Sequence, residues 1–377
     1  MKRKEKNLHR ILYSKPSISK LEIDYATDAA SNGWGEDCYN YIYKFQNIFK
    51  KYHNKKFAVA TSSCTAATHM GLRALGIKKN DEVILADTNW IAVAAPITYL
   101  GAKPVFVDIK KDTWCIDPNK IEEKINKKTK AIIGVHLYGN LLEINKIKSI
   151  CNKYNLHFVE DAAEALGSAL VNRKAGSFGD FSVFSFHGTK TITTGEGGML
   201  LTDNEELYKK VLIYNNHGRS SNMQEKMWSD ELGYKYKISN IQAALGYAQM
   251  KRINIILKRK REIFQYYFKN LSHIDGLSMN PEYKNTTNSF WMPNIVFDKK
   301  LNVSSEYIFK LFKKNNIDAR HFFWPLSGFK MFKNQKNNYN SWSISKRAIN
   351  LPSYSDLKKS QLDRIISLVK KAIDENR

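Results

Sequence analysis

The sequence predicts an α/β fold with a largely parallel sheet, followed by a smaller second α/β domain. Three observations lead there. Between residue 56 and about residue 205, seven short β-branched runs alternate with helical stretches. Most of these runs are apolar throughout, as strands buried on both faces of a sheet are. After about residue 255 a second, shorter set of strand-like and helical segments comes after a helix.

The start, MKRKEKNLHRILYSKPS, is basic and lacks the apolar run of a signal peptide. The strand-like runs are KFAVATS, EVILAD, PVFVDI, AIIGVHL, HFVEDA, FSVFSFH and GGMLLT. Segments such as CTAATHMGLRALG and LLEINKIKSICNKYN fit crossover helices, which makes the sheet largely parallel. In SNIQAALGYAQMKRI, Ile241, Ala244, Leu245 and Ala248 recur at helical spacing and predict an amphipathic helix. WMPNIVF then reads as a strand, SSEYIFKLFKKNN as a helix and DARHFFW as a strand. The chain ends in a helix with Leu362, Ile365, Ile366, Val369 and Ile373 on one face. The expected division is a large domain over 1–255 and a small one over 256–377.

Composition narrows the function classes. Of 377 residues, 43% are hydrophobic, enough for a large core. No stretch of about 18 continuous apolar residues occurs, so a soluble, cytoplasmic protein without a membrane partner is expected. The net charge is +24, but the lysines are scattered and no nucleic-acid-binding motif accompanies them. They read as a solvated surface whose field suits a small anionic substrate. Cys38, Cys64, Cys115 and Cys151 are far apart in sequence, with no metal-ligand spacing; separate reduced thiols and no metal are expected.

Open sheets of this class bind ligands at the carboxyl ends of their strands. Residues 62–65, 87–90, 136–138, 161–164 and 185–190 all come at or after the ends of predicted strands. Lys190 stands there, before the small-residue loop TITTGEGG. Lysine forms Schiff bases with carbonyl cofactors, and partial desolvation favours the neutral amine this needs. Asp161 ends HFVED in apolar surroundings and needs a cationic partner. A protonated pyridine nitrogen is one such partner; capping the next turn is the alternative role. Ser62, Ser63 and Thr65 stand at a strand-to-helix junction, where hydroxyls and free N–H groups either hold an anion or simply cap the helix. Ser185 is a phosphate contact or a strand residue. Trp90 is a stacking platform or a core aromatic.

With these residues in place, the chain resembles the DegT/DnrJ/EryC1/StrS family of pyridoxal-phosphate-dependent aminotransferases. The motifs that carry the resemblance are SSCTAATH, GAKPVFVDI, HLYG, EDAAEALGS, GSFGDFSVFSF, TKTITTGEGGM, NNHGR and ISNIQAALG. The resemblance implies the aspartate-aminotransferase fold type I, with a mostly parallel seven-stranded sheet. It implies that Lys190 carries the cofactor and shuttles the proton, and that Asp161 pairs with the pyridinium. Glu164 is implied beside the phenolic oxygen, Ser63, Cys64, Thr65 and Ser185 at the phosphate, and Trp90 against the ring. Asn240 resembles an asparagine that reaches the phosphate of a neighbouring subunit, which implies a homodimer with a shared site. His217, Arg219 and Tyr234, and His321 and Phe323 from the second domain, are substrate candidates.

The family usually reads Ser-Gly-Thr where this chain has Ser63-Cys64-Thr65, which points to a slightly altered turn or to one that never needed the glycine. Related dehydratases carry histidine in place of Lys190, so the lysine argues for transamination. KTITTGEGGM with EDAAEALGS looks most like the perosamine-synthase branch. That likeness implies transfer from L-glutamate to a nucleotide-linked 4-keto-6-deoxy sugar in surface polysaccharide synthesis. A small phosphorylated ketose or keto-sugar acid is the alternative acceptor, and a regulator without catalysis is the alternative of another class.

Overall fold

Runs of Val, Ile, Ala and Phe with no polar alternation bury both of their faces only as inner strands of a covered sheet. The computed structural model describes residues 9–219, 228–332 and 337–376. Helices α1 (Lys20–Asn32) and α2 (Asn40–His53) precede the sheet. Its strands are β1 (Phe57–Thr61), β2 (Glu82–Ala86), β3 (Lys103–Val107), β4 (Thr129–Val135), β5 (His157–Asp161), β6 (Phe181–Ser185) and β7 (Gly198–Thr202). Their order in space is β1-β7-β6-β5-β4-β2-β3. Strands β2 to β6 pair in parallel, and β7 runs antiparallel to both β1 and β6. The seven runs therefore give one mostly parallel seven-stranded sheet.

Crossovers α3 (Cys64–Ala74), α4 (Ile91–Tyr99) and α5 (Ile144–Tyr154), with α6 (Glu205–Tyr214) after β7, cover the sheet. Parallel pairing places Val135, Asp161 and Val183 side by side, so the carboxyl ends of β4, β5 and β6 share one edge. The loops that leave this edge build the site.

Two helices, α7 (Asn240–Lys251) and α8 (Ile253–Leu271), replace the single long helix expected between the domains. The break is at Arg252, whose φ of −105° and ψ of 4° depart from the helix. The buried face of α7 matches the expected one at Ala244 and Ala248 but is shifted elsewhere. Ala243, Ala244, Gly246, Ala248 and Gln249 are buried, while Ile241 is exposed. Small residues win because α7 packs closely on α1 and α2; a Cβ on Gly246 would lie 2.6 Å from the Phe45 ring. Along α8, Ile253 and Ile256 join the core around α2, and Ile263, Phe264, Tyr267 and Leu271 join a second core. We therefore infer that the domains divide within α8, where the 255/256 boundary also falls.

The second core lies against a four-stranded antiparallel sheet. Its strands are β8 (Leu277–Met279), β9 (Asn294–Phe297), β10 (Arg320–His321) and β11 (Ala348–Asn350), in the order β8-β9-β11-β10. Helices α9 (Ser305–Lys314), α10 (Tyr339–Ser345) and α11 (Lys359–Asp374) complete this part. Only Arg320–His321 of the run DARHFFW joins the ladder, because the chain then turns towards the large sheet, where Pro325 bridges Thr88. Residues 9–13 were expected with the large domain. Ile11 instead forms a parallel bridge with Ile317 and sits in the second core.

Two buried aspartates fasten the returning segment. Asp87, after β2, accepts Ser327 N–H and Ser327 Oγ at 2.8 Å and Asn338 Nδ2 at 2.9 Å. Asp108, after β3, accepts Asn340 N–H at 3.0 Å and Ser341 N–H and Oγ at 2.9 Å.

Candidate active site

A cavity of about 590 Å³ opens at the carboxyl edge of the large sheet, within the ~300–1,000 Å³ common for small-molecule sites. It collects Ser63, Cys64, Thr65, Trp90, Asp161, Glu164, Ser185 and Lys190 from the large domain, with His321 and Phe323 from the second. Residues from four separate strand ends meet there because the sheet brings those ends together.

Lys190 reaches Glu164, with Nζ 3.1 Å from Oε1. The other Glu164 oxygen accepts the Tyr138 N–H at 2.9 Å. Tyr138 takes a left-handed conformation (φ 55°), which a bulky residue holds only when its surroundings impose it. Its hydroxyl accepts the Phe323 N–H at 3.0 Å, tying this loop to the far wall. Glu164 is thus fixed from the sheet side before it meets the lysine.

Asp161 is buried at the end of β5, and one oxygen accepts the Ala163 N–H at 2.9 Å. Among the described residues no cation lies within ion-pair distance of it. Burial raises its carboxyl to about 6, while the Ala163 N–H and the charge of Lys190 pull the other way. Such a carboxylate lacks a positive partner and fits one carried in by a ligand.

Ser63 caps α3, its Oγ accepting the Ala66 N–H at 3.1 Å. The helix's first N–H groups have no partner within the helix, so with Thr65 they form an anion cradle at the cavity wall. Cys64 opens α3 and is not among the residues with positive φ, so the turn needs no glycine at this place. Close approach comes instead from Gly198 of β7, where a Cβ would lie 2.4 Å from the Ser63 carbonyl carbon. Of the two readings of Cys64, a turn that never needed the glycine is the one the backbone follows. Burial beside Asp161 raises its thiol well above the usual range, which keeps it protonated.

Trp90 precedes α4 at the cavity mouth, 59% exposed, with its ring centroid 6.2 Å from that of Phe323. Ser185 lines the wall and its Oγ accepts the His187 N–H at 3.4 Å.

Three substrate candidates, His217, Arg219 and Tyr234, do not line this cavity, and neither does Asn240, which was expected at a neighbouring subunit's site. The Asn240 amide is engaged in its own chain, accepting the Tyr41 N–H at 2.9 Å and facing Gly33 O at 3.5 Å. His217 and Tyr234 pair through the backbone, and the Tyr234 hydroxyl accepts from Arg73 at 2.8 Å. Arg219 donates to Asn216 Oδ1 at 3.3 Å. These segments zip to each other beside α3 and α6, away from the cavity.

Conversely, Tyr13, Trp291, Arg320 and Asn350 line the cavity without having been singled out, and Asn89, inside the 87–90 stretch, was given no role of its own. Asn89 had a usable signal, since it lies just beyond β2. The others come from distant segments with no local mark. Among the described residues no cluster of three or more His, Cys, Asp or Glu side chains is placed to hold a metal, and no helix is long and apolar enough to cross a membrane.

Residues 16–370 match the DegT/DnrJ/EryC1/StrS aminotransferase family. The chain is 35% identical over 360 residues to GDP-perosamine synthase of Vibrio cholerae, covering 94% of this chain and 97% of that protein. It is 37% identical over 352 residues to GDP-perosamine synthase of Escherichia coli O157:H7, covering 92% and 94%. Among solved structures, Helicobacter pylori PseC, an aminotransferase of pseudoaminic acid biosynthesis, superposes with a TM-score of 0.91 at 25% identity, covering 97% of this chain and all of that one. The PLP form of the putative sugar aminotransferase Spr1654 of Streptococcus pneumoniae gives 0.89 at 26% identity, covering 98% and 100%. These solved structures share fold type I.

Proposed function

Because the chain belongs to the DegT/DnrJ/EryC1/StrS aminotransferase family and is a pyridoxal-phosphate-dependent transaminase, we propose that it moves an amino group from L-glutamate to a nucleotide-linked 4-keto-6-deoxy sugar, in surface polysaccharide biosynthesis. The observation that carries this reading is the convergence of Lys190, Asp161 and the α3 N-terminus on one cavity. The relatives named as perosamine synthases support the choice of acceptor.

The site's chemistry fits the cofactor part by part. The buried, cation-poor Asp161 suits the pyridinium nitrogen, and the Ser63–Thr65 cradle with Ser185 suits the phosphate. Lys190 offers the amine that bonds the aldehyde carbon. When bound, pyridoxal phosphate supplies that carbonyl carbon and an electron sink. Asp161 would hold the ring nitrogen in its protonated form, which would sustain the sink. Lys190 would then be the base placed to take the proton from the donor's α-carbon. Glu164 accepts a hydrogen bond from the Lys190 amine and holds it near the reacting carbon. Trp90 and Phe323 flank the mouth as apolar walls for the ring and for the acceptor, with His321 beside them. A regulator without a cofactor would have no use for this set.

We also propose that the working unit is a homodimer whose second subunit completes the site. Trp34, Trp90, Trp228 and Leu232 are each more than half exposed in the single chain, which suits a partner surface. In that arrangement the partner contributes from the α7 N-terminal region that carries Asn240.

The test combines trapping with a substrate panel. Borohydride reduction of protein loaded with pyridoxal phosphate is expected to label the peptide holding Lys190; label elsewhere sinks the assignment. Glutamate is then incubated with 4-keto sugar nucleotides, phosphorylated ketoses and keto-sugar acids, and amination is read by mass spectrometry. Amination of the small ketoses in preference to the nucleotides would reject the proposed acceptor.

A further inference from the structure

Lys190 has a second contact besides Glu164. Its Nζ lies 4.1 Å from the centroid of the Trp291 ring, over the indole face. Trp291 is itself tightly placed. Its Nε1 donates to the Thr189 carbonyl at 2.8 Å, one residue before the lysine. Its ring lies within 11° of parallel to that of Tyr138, at 6.0 Å. Its own carbonyl accepts a hydrogen bond from Lys260 Nζ at 3.2 Å.

Lys260 is unusual. It is 6% exposed on α8, and among the described residues no carboxylate lies within ion-pair distance of it. It donates only to the Trp291 carbonyl and to Ser353, at 2.8 Å to O and 3.2 Å to Oγ. Burial lowers its amine to about 7. An apolar side chain would fill this place without that desolvation cost. What the lysine adds is fixation of residues 291 and 353 against α8.

We propose that Trp291 is a positioning residue that parks the Lys190 amine while it is not bonded to cofactor, and that Lys260 seats the indole for this task. The purpose rests on the reading of Lys190 as the cofactor's lysine. The amine would leave the cofactor's carbon in the first half-reaction and return to it at the end of the second, and a free lysine side chain explores many rotamers. A ring face attracts the ammonium form. The amine is therefore held near the site, between the indole face and the Glu164 carboxylate. Glu164 fixes the direction and Trp291 the depth.

The test uses the full-length protein without cofactor, enriched with carbon-13 at the lysine ε position. The Lys190 signal is the one lost in Lys190→Arg. In the wild type its ε protons are expected upfield of the other lysines, because they sit over the indole. Trp291→Leu should return the signal to the bulk position, and Trp291→Phe should keep part of the displacement. Lys260→Met should reduce it; if that variant does not fold, Lys260→Gln is read instead, with the same expectation. A wild-type signal within the bulk, or one unmoved by Trp291→Leu, overturns the parking role. A displacement unchanged in the Lys260 variant overturns the seating role. In the loaded enzyme Trp291→Leu should lower kcat by about 10-fold or more, as loss of reacting geometry does, with KM within about twofold. Borohydride labelling reports separately on Lys190, so a displaced signal with label elsewhere would reject the functional reading and leave the contact standing.

Discussion

At Asp161 burial acts on a carboxylate suited to a ligand's cation, and the stability of the cofactor-free protein should show it. Its carboxyl is raised to about 6 by burial, above the ~3.9 of an unfolded chain. The folded state then binds the proton more strongly than the unfolded state does. Between pH ~4 and ~6 this group's contribution to stability falls as pH rises, by a total on the order of 3 kcal/mol. Urea midpoints of the cofactor-free protein should therefore carry a downward component across that window, and Asp161→Asn should remove it. The same variant should keep pyridoxal phosphate bound yet lose about 100-fold or more in kcat; unchanged turnover would reject the electron-sink role. Lys190 and Asp161 were legible in sequence because each stands at or just beyond the end of an apolar strand, the place where such sheets bind ligands. Trp291, Arg320 and Asn350 were not, because the second domain brings them to the cavity from segments far apart in the chain. Tyr13 arrives through the Ile11–Ile317 bridge, and nothing near it in the sequence marks that destination.

Among the elements, the segment from β10 to α10 does the most to shape the cavity, and two carboxylates decide where it lies. Asp108 is buried with its charge, held below the usual range by the Asn340 and Ser341 N–H groups and the Ser341 hydroxyl against the opposing cost of burial. Asp108→Ala strands those donors, and at ~1–3 kcal/mol for the unsatisfied groups the melting temperature should fall by several degrees. Asp87 carries Leu326 N–H on its backbone oxygen and Ser327 on its carboxylate, so it anchors the chain just after Phe323 and Trp324. Asp87→Ala should raise KM for the keto acceptor more than KM for glutamate, because the aromatic wall at 323–324 loosens while Lys190 and Asp161 keep their places. Equal effects on both substrates would count against that division of labour. Packing of α7 offers a separate check: Gly246→Val puts carbon into the Phe45 ring and should cost about 1–3 kcal/mol in denaturant unfolding. The repeat in this stretch identifies the helix but not its buried face. Apolar periodicity weights Ile241 and Leu245, whereas the distance between helices is set by Gly246 and the buried alanines, Ala244 and Ala248 of the expected face among them. Hydrophobic pattern locates a helix more surely than it identifies the side that meets its closest neighbour.

Over the whole molecule, the large sheet could be read from sequence because its strands are short, wholly apolar and separated by crossovers. The second sheet was harder, since its strands are only two to four residues long and its segment 318–324 leaves the ladder after His321. The net charge of +24 is a property of the entire chain, and no single residue at the site accounts for it. Among the described residues Arg320 is a cation at the cavity wall besides Lys190, so most of the positive field acts from a distance. A distant field raises the encounter rate of an anion and contributes little once the anion is bound. It is also screened within about 10 Å at 0.1 M salt. For a sugar nucleotide acceptor, kcat/KM should therefore fall steadily as salt rises from about 0.05 to about 0.5 M, while kcat changes little. A keto sugar without phosphate should lack this dependence in kcat/KM. Stopped-flow association of the two acceptors across the same salt series separates steering from a general loss of activity. Parallel losses for charged and uncharged acceptors would mean that salt acts on the fold or the dimer, and that the lysine-rich surface has no part in substrate capture.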